Sequence, residues 1–529
     1  MGSERTQPDV CIVGAGLSGS LLAYELSRRG VKVVVLETGP RLPPEWRAEA
    51  VRKLLDGGPS PWPGNALRDA FVNAGTRAYP LNDARVKAVG GTTLHWGAIA
   101  RRLYEDDFRL RREHGLADDW PVSYAELEPY YARAEVELGV AGADDNSKAG
   151  PRSTGFPMPA FPFSYGDQVA REACAPLGLS LVSVPCARAS VPYAGRPACM
   201  AFATCTIERV CPVGAMYCAE SHAARAEATG NTTILTGATA RRLNLSSSGA
   251  IESVTYTRPD LTTAEQSARV FVVAAHSVES ARLLLLSQSS RFPNGLANGS
   301  GAVGRHFMEH PFVSARGKLR RKTGTYRIGF PTAECHDFCV PPDRSKAPAF
   351  KLTWMNQGGP TPGQLAVESG RWGAALADET RERFGEWVEI RGFAEQLPDP
   401  ECRVTLDPER KDDVGDPATR FSYHNGAYEK GAREKAIEVM TDALEAMGAT
   451  EILISFEEEV LMSGHHLGTC RMGDDPATSV VNRDLRAHEV PNLYLVGGSV
   501  FVTGGSVNPS LTIAALTLRA AETIAARGA

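Results

Sequence analysis

Long apolar runs are missing from this 529-residue chain. The longest, such as VVVLE and RLLLLS, fall far short of the roughly 20 residues that a bilayer-spanning helix needs, so no direct membrane insertion is expected. An excess of charge of one sign is missing too. Fifty-seven Lys and Arg against 62 Asp and Glu leave a formal charge of -5 with both signs scattered, and no basic block offers a footprint for nucleic acid. The substrate is therefore expected to be a small molecule. Cysteine is sparse: 11 in a chain of this length are too few for a disulfide scaffold, and no Cys-x-x-Cys pair supports a zinc site. Histidine is equally rare, at 11. Internal repeats and low-complexity tracts are absent, and the length suffices for two or more domains.

What is present starts with DVCIVGAGLSGSLLAYELSRRGVKVVVLETG, which reads as a complete βαβ unit. An apolar strand at Val10–Val13 runs into a glycine turn, an amphipathic helix stopped at Gly30, and a buried strand ending at Glu37. Gly14 permits the tight turn, Gly16 lets backbone N–H groups approach a pyrophosphate at the helix N-terminus, and Gly19 lets helix and strand pack closely. Glu37, about 20 residues on, would accept hydrogen bonds from a ribose hydroxyl and disfavours a 2′-phosphate. The unit predicts dinucleotide binding, with FAD and NAD both open.

The C-terminal segment VPNLYLVGGSVFVTGGSVNPSLTIAALTLRAAETIAARG narrows the choice. It predicts a strand at 493–496, a glycine-rich bend holding Gly498 and Ser499, and a helix opened by Pro509. A helix starting right after such a bend can aim its positive end at an anionic ring, and a flavin that has accepted a hydride is one.

Six blocks resemble, in order, the glucose-methanol-choline (GMC) oxidoreductase family: GAGLSG at 14–19, VGGTTLHWGA at 89–98, VVAAHSVESARLLLLS at 272–287, VGRHFMEHP at 303–311, HHLGTCRMG at 465–473 and TGGSVNPSLTIAA at 503–515. GGTTLHW, RPAC with CPVGAMY, and TSVVNRDLRAHEVPNLYLVGGSVF are similar to its bacterial sugar dehydrogenase branch. The resemblance implies an α/β fold: a Rossmann-like FAD-binding domain assembled from discontinuous segments, plus an α+β substrate domain with an antiparallel sheet. It implies FAD as cofactor and oxidation of a CH–OH group of a sugar or glycoside, by proton abstraction and hydride transfer to flavin N5. Three rivals remain: an oxidase that uses dioxygen without a cluster, a flavin-binding or carrier protein whose redox site is idle, and an alcohol oxidase tailoring a natural product.

The family's His-x-x-Gly-[Thr/Ser] motif falls on His465, Gly468 and Thr469. A neutral imidazole there can accept the hydroxyl proton as hydride leaves. The family's second position falls on Asn508, whose amide can orient the substrate oxygen; as a good N-cap residue it can equally cap the helix before Pro509. His466 is expected to be a satisfied structural histidine. In VGGTTLHWGA, Gly90 and Gly91 allow close backbone approach to the ring, with Thr92, His95 and Trp96 alongside. Some members attach FAD covalently through a histidine in this block, so His95 is either that link or simple packing.

RPACMAFATCTIERVCPVGAMYCAE carries Cys199, Cys205, Cys211 and Cys218, a spacing that suits an iron–sulfur cluster in an irregular loop. The resemblance places a [3Fe-4S] cluster on the counterparts Cys199, Cys205 and Cys211. The chain departs from that pattern, because the final gap is two residues longer and Met200 replaces the usual second adjacent cysteine. Buried thiols, a disulfide and zinc stay open. The branch also implies a small partner subunit and a cytochrome or quinone acceptor. The start of the chain shows no apolar leader region, so the expected location is cytoplasmic, or periplasmic if a partner subunit carries the chain out.

The expected layout is a FAD-binding domain at 1–311, with a lid at about 41–85 and the Cys-rich loop at 199–218, a substrate-binding domain at 312–454, and a return to the FAD-binding domain at 455–529. Ser123 is expected to cap one helix, and another spans about 426–447.

Overall fold

Val10–Val13 and Val33–Glu37 are short, mostly β-branched runs, apolar on both faces, as parallel strands covered by helices must be. In the computed structural model they are the middle of a five-stranded parallel sheet. Its order is Leu493–Leu495, Val270–Val273, Val10–Val13, Val33–Glu37, Thr232–Thr236, so the Rossmann-like domain is indeed discontinuous. Helix Leu17–Ser27 packs against helix Ser510–Ala526, which in turn packs against Tyr124–Leu138. Ser123 caps the last of these: its hydroxyl accepts from the Glu126 N–H, and the Glu126 carboxylate accepts from the Ser123 N–H. The carboxyl ends of the strands open onto the crevice where sheets of this kind bind ligands. The structure describes residues 7–55, 62, 69–76, 78–203, 205, 209–455 and 463–527. Residues 56–61, 63–68 and 77 of the expected lid, 204 and 206–208 of the Cys-rich loop, and 456–462 and 528–529 of the C-terminal segment lie outside these.

The second sheet has six antiparallel strands, ordered Ala449–Ser455, Phe312–Leu319, Trp387–Ala394, Phe350–Met355, Ala333–Cys335, Leu181–Ser183. One face presents Val313, Leu352, Trp354 and Ile390 to Ala436, Met440 and Leu444 of helix Ala427–Ala446. Contact is so close that a Cβ at Gly392 would lie 2.8 Å from the Ala436 Cβ. Alternation then turns Lys351, Thr353, Arg391 and Phe393 to the opposite face, toward the FAD-binding domain.

The division in space differs from the expected 1–311 and 312–454 boundaries in two places. Leu181–Ser183 pairs with Ala333–Cys335 and is the edge strand of the substrate sheet. Conversely, Arg403–Lys411 pairs with Pro417–Ser422, which pairs in turn with Phe71–Asn73, and the two longer strands bury Val404 and Phe421 in the main core.

Arg344 ties the two parts together. Fully buried, it forms ion pairs with Asp106 (2.8 Å) and Asp107 (2.7 Å) from the FAD side and with Glu395 (3.1 Å) from the substrate sheet. Removing one partner of such a cluster strands buried carboxylates. Arg344→Met is expected to lower unfolding free energy by about 3–5 kcal/mol, read from urea denaturation; a loss under about 1 kcal/mol would show that the clamp is dispensable.

Candidate active site

A cavity of about 1530 Å³, counted with its open mouth, runs along the carboxyl ends of the parallel strands. Its lining gathers Gly14, Gly16 and Glu37 of the N-terminal unit with His465 and Pro509 of the C-terminal segment. Two helices begin on its wall, Leu17–Ser27 after Gly16 and Ser510–Ala526 after Pro509. Neither has a side-chain cap or an acidic residue in its first turn, so both present free N–H groups to an anion.

The glycines divide by task. Gly14, at φ 103°, could not bear a side chain, because a Cβ would lie 2.6 Å from the Ala274 carbonyl oxygen. Gly19 packs behind the wall, its missing Cβ replaced by the Gly14 carbonyl at 1.8 Å. Gly16 faces open space, with Gly91 Cα as its near neighbour at 4.0 Å. Glu37 lines the cavity with each carboxylate oxygen already oriented by a backbone N–H, from Ala15 and Gly39, both at 2.8 Å. Gly91, Thr92, Trp96, Gly498 and Pro509 line it as well. Gly90, His95 and Ser499 are outside this lining: the Gly90 turn abuts Cys218, and the Ser499 carbonyl accepts from the Cys470 N–H. Asn508, half-buried, reaches the lining residue His465.

His95 packs its ring on Trp62, with centroids 5.4 Å apart, and its Nε2 is buried without a partner. Burial, then the charge of Arg209, pushes its pKa down to about 3.

His465 lines the cavity, and hydrogen bonds fix its tautomer. His310 Nε2 lies 2.8 Å from the Gly505 carbonyl oxygen, so Nε2 carries the hydrogen and Nδ1 the lone pair. His310 Nδ1 is 2.9 Å from His465 Nδ1, which must therefore donate. The lone pair of His465 thus stands on Nε2, 3.0 Å from Asn508 Nδ2. The Asn508 amide cannot flip, because its Oδ1 accepts from Lys351 Nζ at 2.7 Å. Asn508 therefore leaves the following helix uncapped and spends its side chain on the site. Burial, with His310 and Lys351 adding to it, holds the His465 pKa well below its usual value, so the ring is neutral.

Behind His465, the buried Glu309 carboxylate collects five donors: the N–H groups of Gly464 (3.0 Å), His465 (2.9 Å) and His310 (2.9 Å), and the hydroxyls of Ser463 and Tyr79. His466 uses both ring nitrogens structurally, accepting from His276 Nε2 at 2.6 Å and donating to Tyr79 at 2.7 Å. The block VGRHFMEHP was visible in the sequence. The roles of its Glu309 and His310 were missed, because they act on residues about 155 positions away.

Cys199, Cys205 and Cys211 do not assemble a ligand set: among the described residues no three His, Cys, Asp or Glu side chains group as for a metal. Cys205 Sγ lies 3.7 Å from the Arg188 guanidinium and donates to the Gly329 carbonyl at 3.4 Å, while Cys211 Sγ accepts from the Met216 N–H. Arg188 is buried there against the Phe330 ring at 4.3 Å. The iron–sulfur expectation is thus without support among the described residues.

The chain matches the family description "GMC oxidoreductase" over residues 398–517 and "FAD dependent oxidoreductase" over 9–140. It is 34% identical to the fructose dehydrogenase large subunit of Gluconobacter japonicus, over 99% of both chains. The chain belongs to the GMC oxidoreductase family. Paromamine 6′-oxidase of Streptomyces fradiae is 32% identical over 98% of this GMC oxidoreductase and 91% of the relative. Pyridoxine 4-oxidase from Mesorbium loti shares the fold at 19% identity, with a TM-score of 0.65 and 98% and 99% of the two chains covered. FAD is the cofactor, and the cavity fits it: uncapped helix starts for its anionic parts and an oriented carboxylate at Glu37 for its ribose.

Because Gly16 borders open space, Gly16→Val should leave the fold intact and fill the cofactor's place. The purified variant is expected to keep its circular dichroism and bind FAD at least about tenfold more weakly, about 1.4 kcal/mol; stoichiometric flavin in the variant would refute this.

Proposed function

We propose that this GMC oxidoreductase oxidises a CH–OH group of a sugar or glycoside, with His465 as the base and Asn508 as the group that holds the reacting oxygen. One observation carries the reading: the tautomer chain from Gly505 through His310 leaves a lone pair on His465 Nε2, facing an amide N–H whose orientation Lys351 fixes. An alcohol entering between them exchanges that 3.0 Å contact for two. Its oxygen accepts from Asn508 Nδ2 and its proton passes to His465 Nε2. Bound FAD supplies the two-electron acceptor for the hydride leaving the carbon. The oxygen then becomes a carbonyl, and His465, left as an imidazolium disfavoured by burial, returns its proton to solvent.

The sugar substrate is supported by the relative named as a fructose dehydrogenase, and a partner subunit by its name as a large subunit. A second reading concerns only the acceptor. The lack of a ligand set among the described residues, and the likeness to a relative named as an oxidase, favour electrons passing to dioxygen without a cluster. Iron and labile-sulfide analysis together with peroxide yield separates the two: stoichiometric iron without peroxide supports the dehydrogenase route through a cluster.

His465→Ala is expected to lower kcat by about 10²–10⁴ with FAD still bound. Since the neutral imidazole is the active form and its pKa is depressed, kcat/KM should be level from pH 8 down past 6.5 and fall only in more acid solution. Full turnover in the alanine variant, or an acid limb above pH 6.5, would contradict the assignment.

A further inference from the structure

Behind Asn508 stands a buried cation. Lys351 is 1% exposed, and its Nζ donates to Glu334 Oε1 at 2.5 Å and to Asn508 Oδ1 at 2.7 Å. Glu334 also takes Arg101 Nε at 2.7 Å and His336 Nε2 at 2.9 Å. Burial would raise the Glu334 pKa, but Lys351 and Arg101 hold it well below the ordinary carboxylate value, so it is ionised. One carboxylate thus faces two cations. Burial lowers the Lys351 pKa and Glu334 works against that; with Lys351 protonated, the buried unit Arg101–Glu334–Lys351 carries one surplus positive charge, a state that costs free energy unless something negative sits nearby.

The surplus has an outlet. Lys351 lies on the inward face of the substrate sheet, and the amide it touches ends, at Nδ2, beside the place where the reacting oxygen binds. A cation bonded to an amide oxygen polarises that amide and strengthens its N–H as a donor. It also forbids the flipped amide, which would offer the substrate a lone pair.

We propose that Lys351 is a positioning residue for the oxidation, holding the Asn508 N–H toward the substrate oxygen and answering, through that amide, the negative charge that develops there. This rests on the His465 and Asn508 reading above. The balance is simple: the hydroxyl proton goes to His465 Nε2, the hydride leaves the carbon for FAD, the charge on oxygen collapses into the carbonyl, and Lys351 neither gains nor loses a proton.

Two substitutions separate charge from geometry. Lys351→Gln keeps donors for Glu334 and the Asn508 amide without the charge, and Lys351→Met removes both; the Gln variant serves alone if the Met variant does not fold. Histidine NMR on the FAD-bound enzyme without substrate reads the pKa of His465 independently of turnover. It is expected to rise by about one unit or more in either variant, since a like charge nearby has been removed. The acid limb of kcat/KM should move up in step, with KM little changed; kcat should fall about tenfold in Lys351→Gln, which loses the charge alone, and about a hundredfold in Lys351→Met, where the amide is also free to turn and its N–H is no longer aimed. A wild-type His465 pKa together with wild-type kcat in Lys351→Gln would overturn the inference, as would a loss confined to stability or flavin content. If His465→Ala itself kept full turnover, the underlying reading would fail. If only the Lys351 variants behaved like wild type, the inference alone would.

Discussion

Two imidazoles whose Nδ1 atoms lie 2.9 Å apart cannot both donate and cannot both accept. In this GMC oxidoreductase one carbonyl decides the matter: Gly505 takes the Nε2 hydrogen of His310, and everything His465 can offer a substrate follows. That carbonyl is fixed from far away. Gly505 has φ 58°, and Asp107 occupies the space a side chain would need, its Oδ2 2.7 Å from where a Cβ would stand. Thr503, in the same bend, donates to the Asp107 carbonyl and accepts from Trp120 Nε1. Asp107 in turn is ion-paired to Arg344, the residue that joins the two sheets. Domain docking and the position of one lone pair are thus the same problem in packing.

The segment carrying His465 is held in a conformation it would not choose alone. Thr469 adopts φ 84°, rare for a β-branched residue and worth about 1–3 kcal/mol of strain. Its hydroxyl donates to the Ser277 carbonyl and its N–H to the Arg305 carbonyl, which offset part of that cost. Gly468 turns so tightly that a Cβ would lie 1.9 Å from the His306 carbonyl oxygen. With the Glu309 carboxylate gathering the N–H groups of residues 464 and 465, the loop is determined from both ends. The ring can then be placed against Asn508 to within a hydrogen bond, which loops free to relax do not achieve.

What the sequence revealed was what is local. Val10–Val13, the glycine turn and Glu37 announce themselves because a buried parallel strand and a pyrophosphate turn need those residues in that order. The strand FKLTWM carried a fainter signal: Lys351 and Thr353 alternate with Phe350, Leu352 and Trp354, as a sheet with one apolar and one polar face demands. Nothing local told that this polar face meets Asn508, 157 positions on. Leu181–Ser183 was illegible for a similar reason, since three residues have no periodicity and its partner strand is about 150 positions away. The cysteine loop was legible only as spacing. Spacing constrains which thiols can converge, but not whether a guanidinium such as Arg188 lies among them.

A base buried beside a cation is a weak base, and under the proposed chemistry that weakness has a use. Burial, His310 and Lys351 all disfavour the imidazolium form of His465, so the ring is ready to accept at neutral pH yet gains little by holding a proton before the reaction. Full ionisation of an alcohol by such a base is uphill. It becomes accessible only as negative charge on the oxygen is met by the Asn508 N–H and drained by departure of the hydride. Opposite these groups, the Glu309 carboxylate is clamped by neutral donors. The site therefore couples loss of the proton to loss of the hydride by making each alone unfavourable, and the coupling resides in how charge is distributed around one amide and one imidazole.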